Sequence, residues 1–128
     1  MTGEAVLIVE DEGIIALHLT ELLEKAGYKI IGPEYSGETV VRMIETSPPD
    51  LILMDVGLAG TIDGIETARQ VRQRLPVPVI FLTAYFSERI RDRMREIAPE
   101  GYLTKPVMEA ELLETVRKAL AGRAGKER

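Results

Sequence analysis

A chain of 128 residues can bury one sizeable core but not two, and 45% hydrophobic with 29% charged residues is the balance of a folded domain rather than a disordered segment. With no cysteine, disulfides and thiolate metal sites are excluded. A formal net charge of −5, from 16 basic and 21 acidic residues, argues against direct binding of nucleic acid by the surface as a whole.

The start, Met1-Thr2-Gly3-Glu4-Ala5, leads into an apolar run with no basic leader, and no apolar stretch is long enough to span a bilayer. No membrane association is expected, and the expected location is cytoplasmic. Val6-Leu7-Ile8-Val9 is the first of three short, almost unbroken apolar runs; the others are Leu51-Ile52-Leu53-Met54 and Val79-Ile80-Phe81-Leu82. Runs of this length rich in Val and Ile predict strands buried on both faces, as in a parallel sheet. Tyr28-Lys29-Ile30-Ile31 and Gly101-Tyr102-Leu103 are shorter and more polar, as edge strands are.

Helical patterns fill the intervals. Ile15, Leu19, Leu22 and Ala26 mark one face of a first helix that Gly27 ends. A second runs from an N-cap at Ser36 to about Thr46, before Pro48-Pro49. Asp63-Gly64-Ile65-Glu66 has the spacing of a capping box and opens a third, which ends before Pro76. Ser87 caps a fourth that closes near Pro99. Pro106 suits the first turn of a fifth, with Gly122 just past its end. The domain therefore spans 1–121, and 122–128 reads as a flexible tail or the start of a linker. The chain is either a stand-alone domain or a piece of a larger regulator.

Five βα units in series predict a doubly wound α/β sheet with helices on both faces. In such sheets chemistry sits at the carboxyl ends of the strands, where strand order reverses. The first strand is followed by Glu10, Asp11 and Glu12. The third ends in Asp55, the fourth in Thr83, and the fifth leads to Lys105-Pro106. An isolated Asp after a strand is usually a cap, and a Lys-Pro pair is usually a turn; their convergence on one rim is what those readings leave unexplained. Two carboxylates about 5 Å apart repel by roughly 3 kcal/mol at an effective dielectric near 20, so a proton, a cation or a lysine must compensate. All-oxygen ligation with spare positions suits Mg²⁺. A nucleophilic carboxylate, a cation, a lysine and a hydroxyl donor around one position are the parts of a phosphoryl-transfer site.

Five segments carry a family resemblance: Val6-Leu7-Ile8-Val9-Glu10-Asp11-Glu12, Leu51-Ile52-Leu53-Met54-Asp55, Asp63-Gly64-Ile65-Glu66, Phe81-Leu82-Thr83-Ala84 and Tyr102-Leu103-Thr104-Lys105-Pro106. In this order they resemble the receiver domain of two-component response regulators over essentially the whole chain. The resemblance implies a flavodoxin-like three-layer sandwich with strand order 2-1-3-4-5. Asp55 would take a phosphoryl group from a histidine kinase or phosphotransfer protein, or from a small phosphodonor. Mg²⁺ would be held by Glu10, Asp11, Asp55 and the Gly57 backbone carbonyl, and Thr83 and Lys105 would contact the phosphoryl oxygens. Tyr102 matches the aromatic switch position, the Lys105-Pro106 peptide would be cis, and the domain would be a signalling module rather than an enzyme. The output face expected is the fourth helix, fifth strand and fifth helix. There Arg89, Arg91, Arg93 and Arg95 on one helix and Glu109, Glu111 and Glu114 on the other make a second copy one candidate partner, in a homodimer, the alternative being an acidic surface on a kinase or effector. The loop from Asp55 to Asp63 departs from the commonest pattern: it is one residue longer, with Ala59-Gly60-Thr61 in place of Pro-Gly.

Other readings fit less well. A phosphatase of the haloacid dehalogenase type needs a second Asp where Gly57 stands. A flavin binder of the same sheet order needs a Ser/Thr/Gly-rich loop where Glu10-Asp11-Glu12 stands. A phosphorylation-independent pseudo-receiver, the principal alternative, usually lacks an acidic ligand, the Asp or the Lys, and all three are here. His18, the only histidine, falls in the first helix and is expected to be structural and partly buried. Met43, Met54, Met94 and Met108 are expected to fill core and interface gaps. Glu12 is expected to be a solvated first-turn carboxylate.

Overall fold

The computed structural model describes residues 3–126. Its elements alternate: β1 (Ala5–Val9), α1 (Gly13–Lys25), β2 (Lys29–Glu34), α2 (Gly37–Met43), β3 (Leu51–Asp55), α3 (Gly64–Arg72), β4 (Val79–Thr83), α4 (Glu88–Ile97), β5 (Gly101–Thr104) and α5 (Glu109–Lys126). The five strands are all parallel and lie in the order β2-β1-β3-β4-β5. The three unbroken apolar runs became β1, β3 and β4, and the two more polar ones became the edges.

Period-two alternation divides these strands between two cores. Leu7, Val9, Ile52, Met54, Val79 and Phe81 pack with side chains of α2, α3 and α4, among them Val40, Ile65, Val71 and Met94. Val6, Ile8, Leu51, Leu53, Ile80 and Leu82 pack with α1 and α5 through Leu19, Leu23, Leu112 and Val116. Neither face of β1, β3 or β4 reaches solvent, so their apolar side chains had to be continuous in sequence. The sheet runs left from β1 and right from β3, which makes the gap between their carboxyl ends the switch point.

Helix starts follow the expected caps. Ser36, Asp63 and Ser87 each accept a backbone N–H from three residues on, which satisfies a donor the helix cannot. The capping box is only half formed, because the Glu66 side chain turns to Arg69 and Gln70 instead of returning to the cap. Gly27 follows α1 at φ +99°, the left-handed geometry that favours glycine.

Several expectations are corrected. α2 ends at Met43, and 44–46 form only a turn. Pro106 precedes α5, which begins at Glu109, rather than entering its first turn; the Lys105-Pro106 peptide is cis as expected, and Gly32-Pro33 is cis as well. Gly122 does not end α5: the helix passes through it to Lys126, since glycine within a helix costs only about 1 kcal/mol relative to alanine. Of the expected tail, 127 and 128 lie outside the described residues. His18 is exposed rather than partly buried, because the inward stripe of α1 is Ala16, Leu19 and Leu23, which turns position 18 outward. Met54 and Met94 are buried, but Met108 lies in the β5–α5 connection and is 65% exposed. Among the described residues no helix is long and apolar enough to cross a membrane.

Candidate functional site

The carboxyl ends of β1, β3, β4 and β5 deliver their polar residues to one rim. Glu10 leaves β1 with its side chain fully buried. Asp55, the last residue of β3, is 4% exposed. Lys105, just past β5, reaches back between them: its Nζ lies 2.8 Å from Glu10 Oε1, 3.2 Å from Asp55 Oδ1 and 3.7 Å from Glu12 Oε1. One cation thus serves three carboxylates while its own side chain is only 10% exposed.

The electrostatics follow from that crowding. Burial, together with the Asp55 charge, raises the Glu10 carboxyl to about 7 even though Lys105 opposes the shift. Burial alone would lower the Lys105 ammonium, but Glu10 and Asp55 outweigh it and the net shift is upward. The cluster is therefore short of positive charge near neutral pH.

Glu10, Asp11 and Asp55 each offer a carboxylate oxygen, all within 4.8 Å of one another. This hard-oxygen set, with one carboxylate fully buried and its carboxyl pushed upward by that burial, fits Mg²⁺. Glu10 Oε2 also accepts the Glu12 amide at 3.2 Å, which fixes the turn into α1. Glu12 itself is an exposed carboxylate, as expected, but it stands at the N-cap rather than in the first turn and its side chain makes no cap hydrogen bond.

A cleft of about 440 Å³ opens over Asp55, with Glu12, Gly57, Thr83, Tyr85 and Lys105 on its walls. The Gly57 amide donates to Asp55 Oδ1 at 3.1 Å, and a Cβ at Gly57 would stand 3.8 Å from that oxygen. The Thr83 hydroxyl is turned toward Tyr85, donating to its carbonyl at 2.7 Å and accepting from its amide at 3.1 Å. Tyr102 stands apart on β5, 57% exposed, with its ring edge-on to Phe86 at 5.1 Å between centroids. Glu10, Asp11, Asp55 and Lys105 are thus assembled, Thr83 and Gly57 share the cleft, and Tyr102 faces outward.

Three contacts at this rim had no signal in the sequence. The Ala59 amide donates to Asp11 Oδ2 at 2.9 Å, and the Ile62 amide donates to Glu38 Oε1 at 3.2 Å. Asp63, besides capping α3, is held by Arg93 of α4. All three join segments far apart in the chain.

The family model of the response regulator receiver domain matches residues 6–117. The transcriptional regulatory protein PdtaR of Mycobacterium tuberculosis is 34% identical over 116 residues, which is 91% of this chain and 56% of that protein. The chain thus spans about half the length of the curated relatives it matches. Among solved structures, the signal receiver domain of a modulated diguanylate cyclase from Desulfovibrio desulfuricans G20 superposes with a TM-score of 0.92 at 34% identity, covering 97% of this chain and 98% of that one. The N-terminal domain of a response regulator/sensory box/GGDEF 3-domain protein from Carboxydothermus hydrogenoformans gives 0.87 at 33% identity, covering 98% and 100%.

Proposed function

The chain belongs to the response regulator receiver domain family of two-component signalling, and on that premise we propose that it is a phosphoacceptor switch acting through Asp55. The observation that carries this reading is the Lys105 ammonium shared between Glu10 and Asp55 at the floor of the cleft. A structural ion pair needs one partner. A lysine facing two buried carboxylates, with a third carboxylate beside them, is placed for an incoming anion and a cation together.

The donor is a phosphohistidine of a histidine kinase or phosphotransfer protein, or a small phosphodonor. An Asp55 oxygen attacks phosphorus in line, and the bond from phosphorus to the donor nitrogen breaks. The electron pair stays on the imidazole, which takes up a proton, and Asp55 carries an acyl phosphate. Glu10, Asp11, Asp55 and the Gly57 carbonyl would hold Mg²⁺. When bound, the cation offsets the negative charge that carboxylates and phosphoryl oxygens bring together. Lys105 moves its hydrogen bonds from Glu10 and Asp55 to a phosphoryl oxygen. The Thr83 hydroxyl exchanges the Tyr85 carbonyl for another, drawing the β4–α4 connection inward and leaving room for Tyr102 to turn in. The readout face is α4, β5 and α5.

The test is incubation with an acyl phosphate or phosphoramidate and Mg²⁺. One acid-stable, base-labile phosphoryl group per chain is expected. Undiminished labelling of Asp55→Asn would falsify the assignment of the acceptor.

A further inference from the structure

The loop that joins β3 to α3 is held from outside at its middle. Ala59, Gly60 and Thr61 are exposed and form no regular structure. The Ala59 N–H goes to Asp11 Oδ2 at 2.9 Å, and the Ile62 N–H goes to Glu38 Oε1 at 3.2 Å. Between them Gly60 sits at φ +113°, and a Cβ there would come within 3.2 Å of Glu38 Oε2. Glycine is what lets the backbone turn this closely against the Glu38 carboxylate.

Asp11 needs such a hold. Its carboxylate oxygen lies within 4.8 Å of oxygens of Glu10 and Asp55, so repulsion urges it outward, and unlike Glu10 and Asp55 it is only half-buried. The Ala59 amide is an attraction that fixes one of its oxygens. That amide is in turn placed by the loop, and the loop is fastened to α2 by Glu38. We propose that Glu38 is a positioning residue for the cation site: by gripping the Ile62 amide it holds the Ala59 N–H against Asp11, and so keeps Asp11 oriented as a ligand. The proposal rests on the Mg²⁺ reading given above. Glu38 is assigned no contact with the cation, and its effect passes through two backbone amides.

Titration calorimetry with Mg²⁺ alone, on the full chain and on Glu38→Ala and Glu38→Gln, tests this. Both variants remove the same charge, but glutamine retains a carbonyl oxygen for the Ile62 N–H. Partners of metal ligands commonly change affinity by 10–100-fold, so one further bond out Glu38→Ala should bind Mg²⁺ about threefold to tenfold more weakly than Glu38→Gln. Its Ala59 amide should also exchange with solvent faster. Equal affinities in the two variants overturn the proposal, because any loss they share reports charge and not position. Wild-type protein that fails to bind Mg²⁺ overturns the cation reading itself, and this inference with it.

Discussion

Arg93 and Asp63 clasp each other across thirty residues of chain, with the two terminal nitrogens of Arg93 lying 2.7 and 3.0 Å from the two carboxylate oxygens of Asp63. The same carboxylate caps α3 through the Glu66 amide at 2.9 Å. One side chain thus ends the loop that follows Asp55, begins α3 and anchors α4. The anchor matters because Met94 is the only fully buried residue of α4. At the other end of the helix, Arg72 donates to the Ile97 carbonyl at 3.0 Å and pairs with Glu100 at 2.7 Å. Two arginines thus add polar anchors to α4, whose apolar packing comes from Met94 and the partly buried Ile90 and Ile97.

Removing that clasp should cost stability in a pH-dependent way. Burial raises the Asp63 carboxyl, but Arg93 and the Glu66 amide outweigh it and hold it below its ordinary value of 3.8. A depressed carboxyl contributes stability above its unfolded value and loses it as pH falls through the folded one. Arg93→Met keeps the aliphatic stem and should cost about 1 kcal/mol near neutral pH, the upper range for a partly exposed pair with two-pronged geometry. Urea titrations from pH 7 down to pH 3 should show the gap from wild type closing below about pH 4. A gap independent of pH means that the stem, not the charge, carried the effect.

The carboxylate cluster predicts opposite effects of one substitution with and without cation. Asp11→Asn removes a charge from the group around Asp55 and Glu10. Without metal it should raise stability by about 1 kcal/mol, less than the full repulsion of a buried pair, because Asp11 is partly solvated and Lys105 already offsets part of the charge on Glu10 and Asp55. Millimolar Mg²⁺ should raise the melting temperature of wild type and leave that of Asp11→Asn unmoved, since the unfolded chain has no comparable site. A wild-type melting temperature indifferent to Mg²⁺ rules the site out.

What the sequence made legible here is whatever each chain segment decides for itself. The runs at β1, β3 and β4 had to be apolar on both faces, and the residue closing each run had to emerge at the same rim, so Glu10, Asp55 and Thr83 could be placed before any coordinates. Ser36, Asp63 and Ser87 bind amides three residues on and were equally readable. Long-range choices were not. Glu66 meets the spacing of a capping box, yet Arg69 and Gln70 on its own helix offer it better partners. His18 and Met108 follow patterns that place them inward, but the stripe of α1 is centred on Leu19 and Leu23, and α5 starts only after Met108. Nothing local to Glu38, Arg72 or Arg93 signals that each grips a segment at least twenty residues away.

The phosphoryl group should be long-lived. Position 57 faces Asp55 Oδ1 at 3.8 Å from where a Cβ would stand, and glycine puts nothing there to orient an attacking water. Tyr85 is 73% exposed at the mouth of the same cleft, so it screens the site less than its bulk implies. Most of the effect should therefore come from position 57. Gly57→Asn should shorten the half-life of the labelled protein by about tenfold, below the roughly 100-fold minimum typical of a general acid or base, because an amide orients water without taking its proton. Tyr85→Ala should add little. A Gly57→Asn, Tyr85→Ala double variant that decays no faster than wild type removes both positions from control of the lifetime.

In a two-fold pair formed through α4, β5 and α5, the arginines of α4 would meet acidic residues on α5 of a second copy, but the contacts within one chain narrow the choice. Arg93 is spent on Asp63, Arg95 lies 3.6 Å from Asp92, and Glu114 already holds Arg117 and Lys118. Arg89 and Arg91 remain exposed on α4, as do Glu109 and Glu111 on α5, with Arg91 lying 6.0 Å above the Phe86 ring that packs on Tyr102. Rotation of Tyr102 would disturb Phe86 and through it Arg91, which ties the switch to the surface charge. Turning a 1:99 population into 99:1 takes about 5.5 kcal/mol, so phosphorylation and the second copy's contacts must each supply part of it. Sedimentation with a beryllofluoride phosphate mimic should show dimer where the untreated protein is monomer. Arg91→Glu should return the treated protein to monomer, and adding Glu111→Arg should recover dimer, because a two-fold interface meets each change twice. A monomer under both conditions, with amide shifts in α4 and β5 also unmoved by the mimic, sinks this face as the switch.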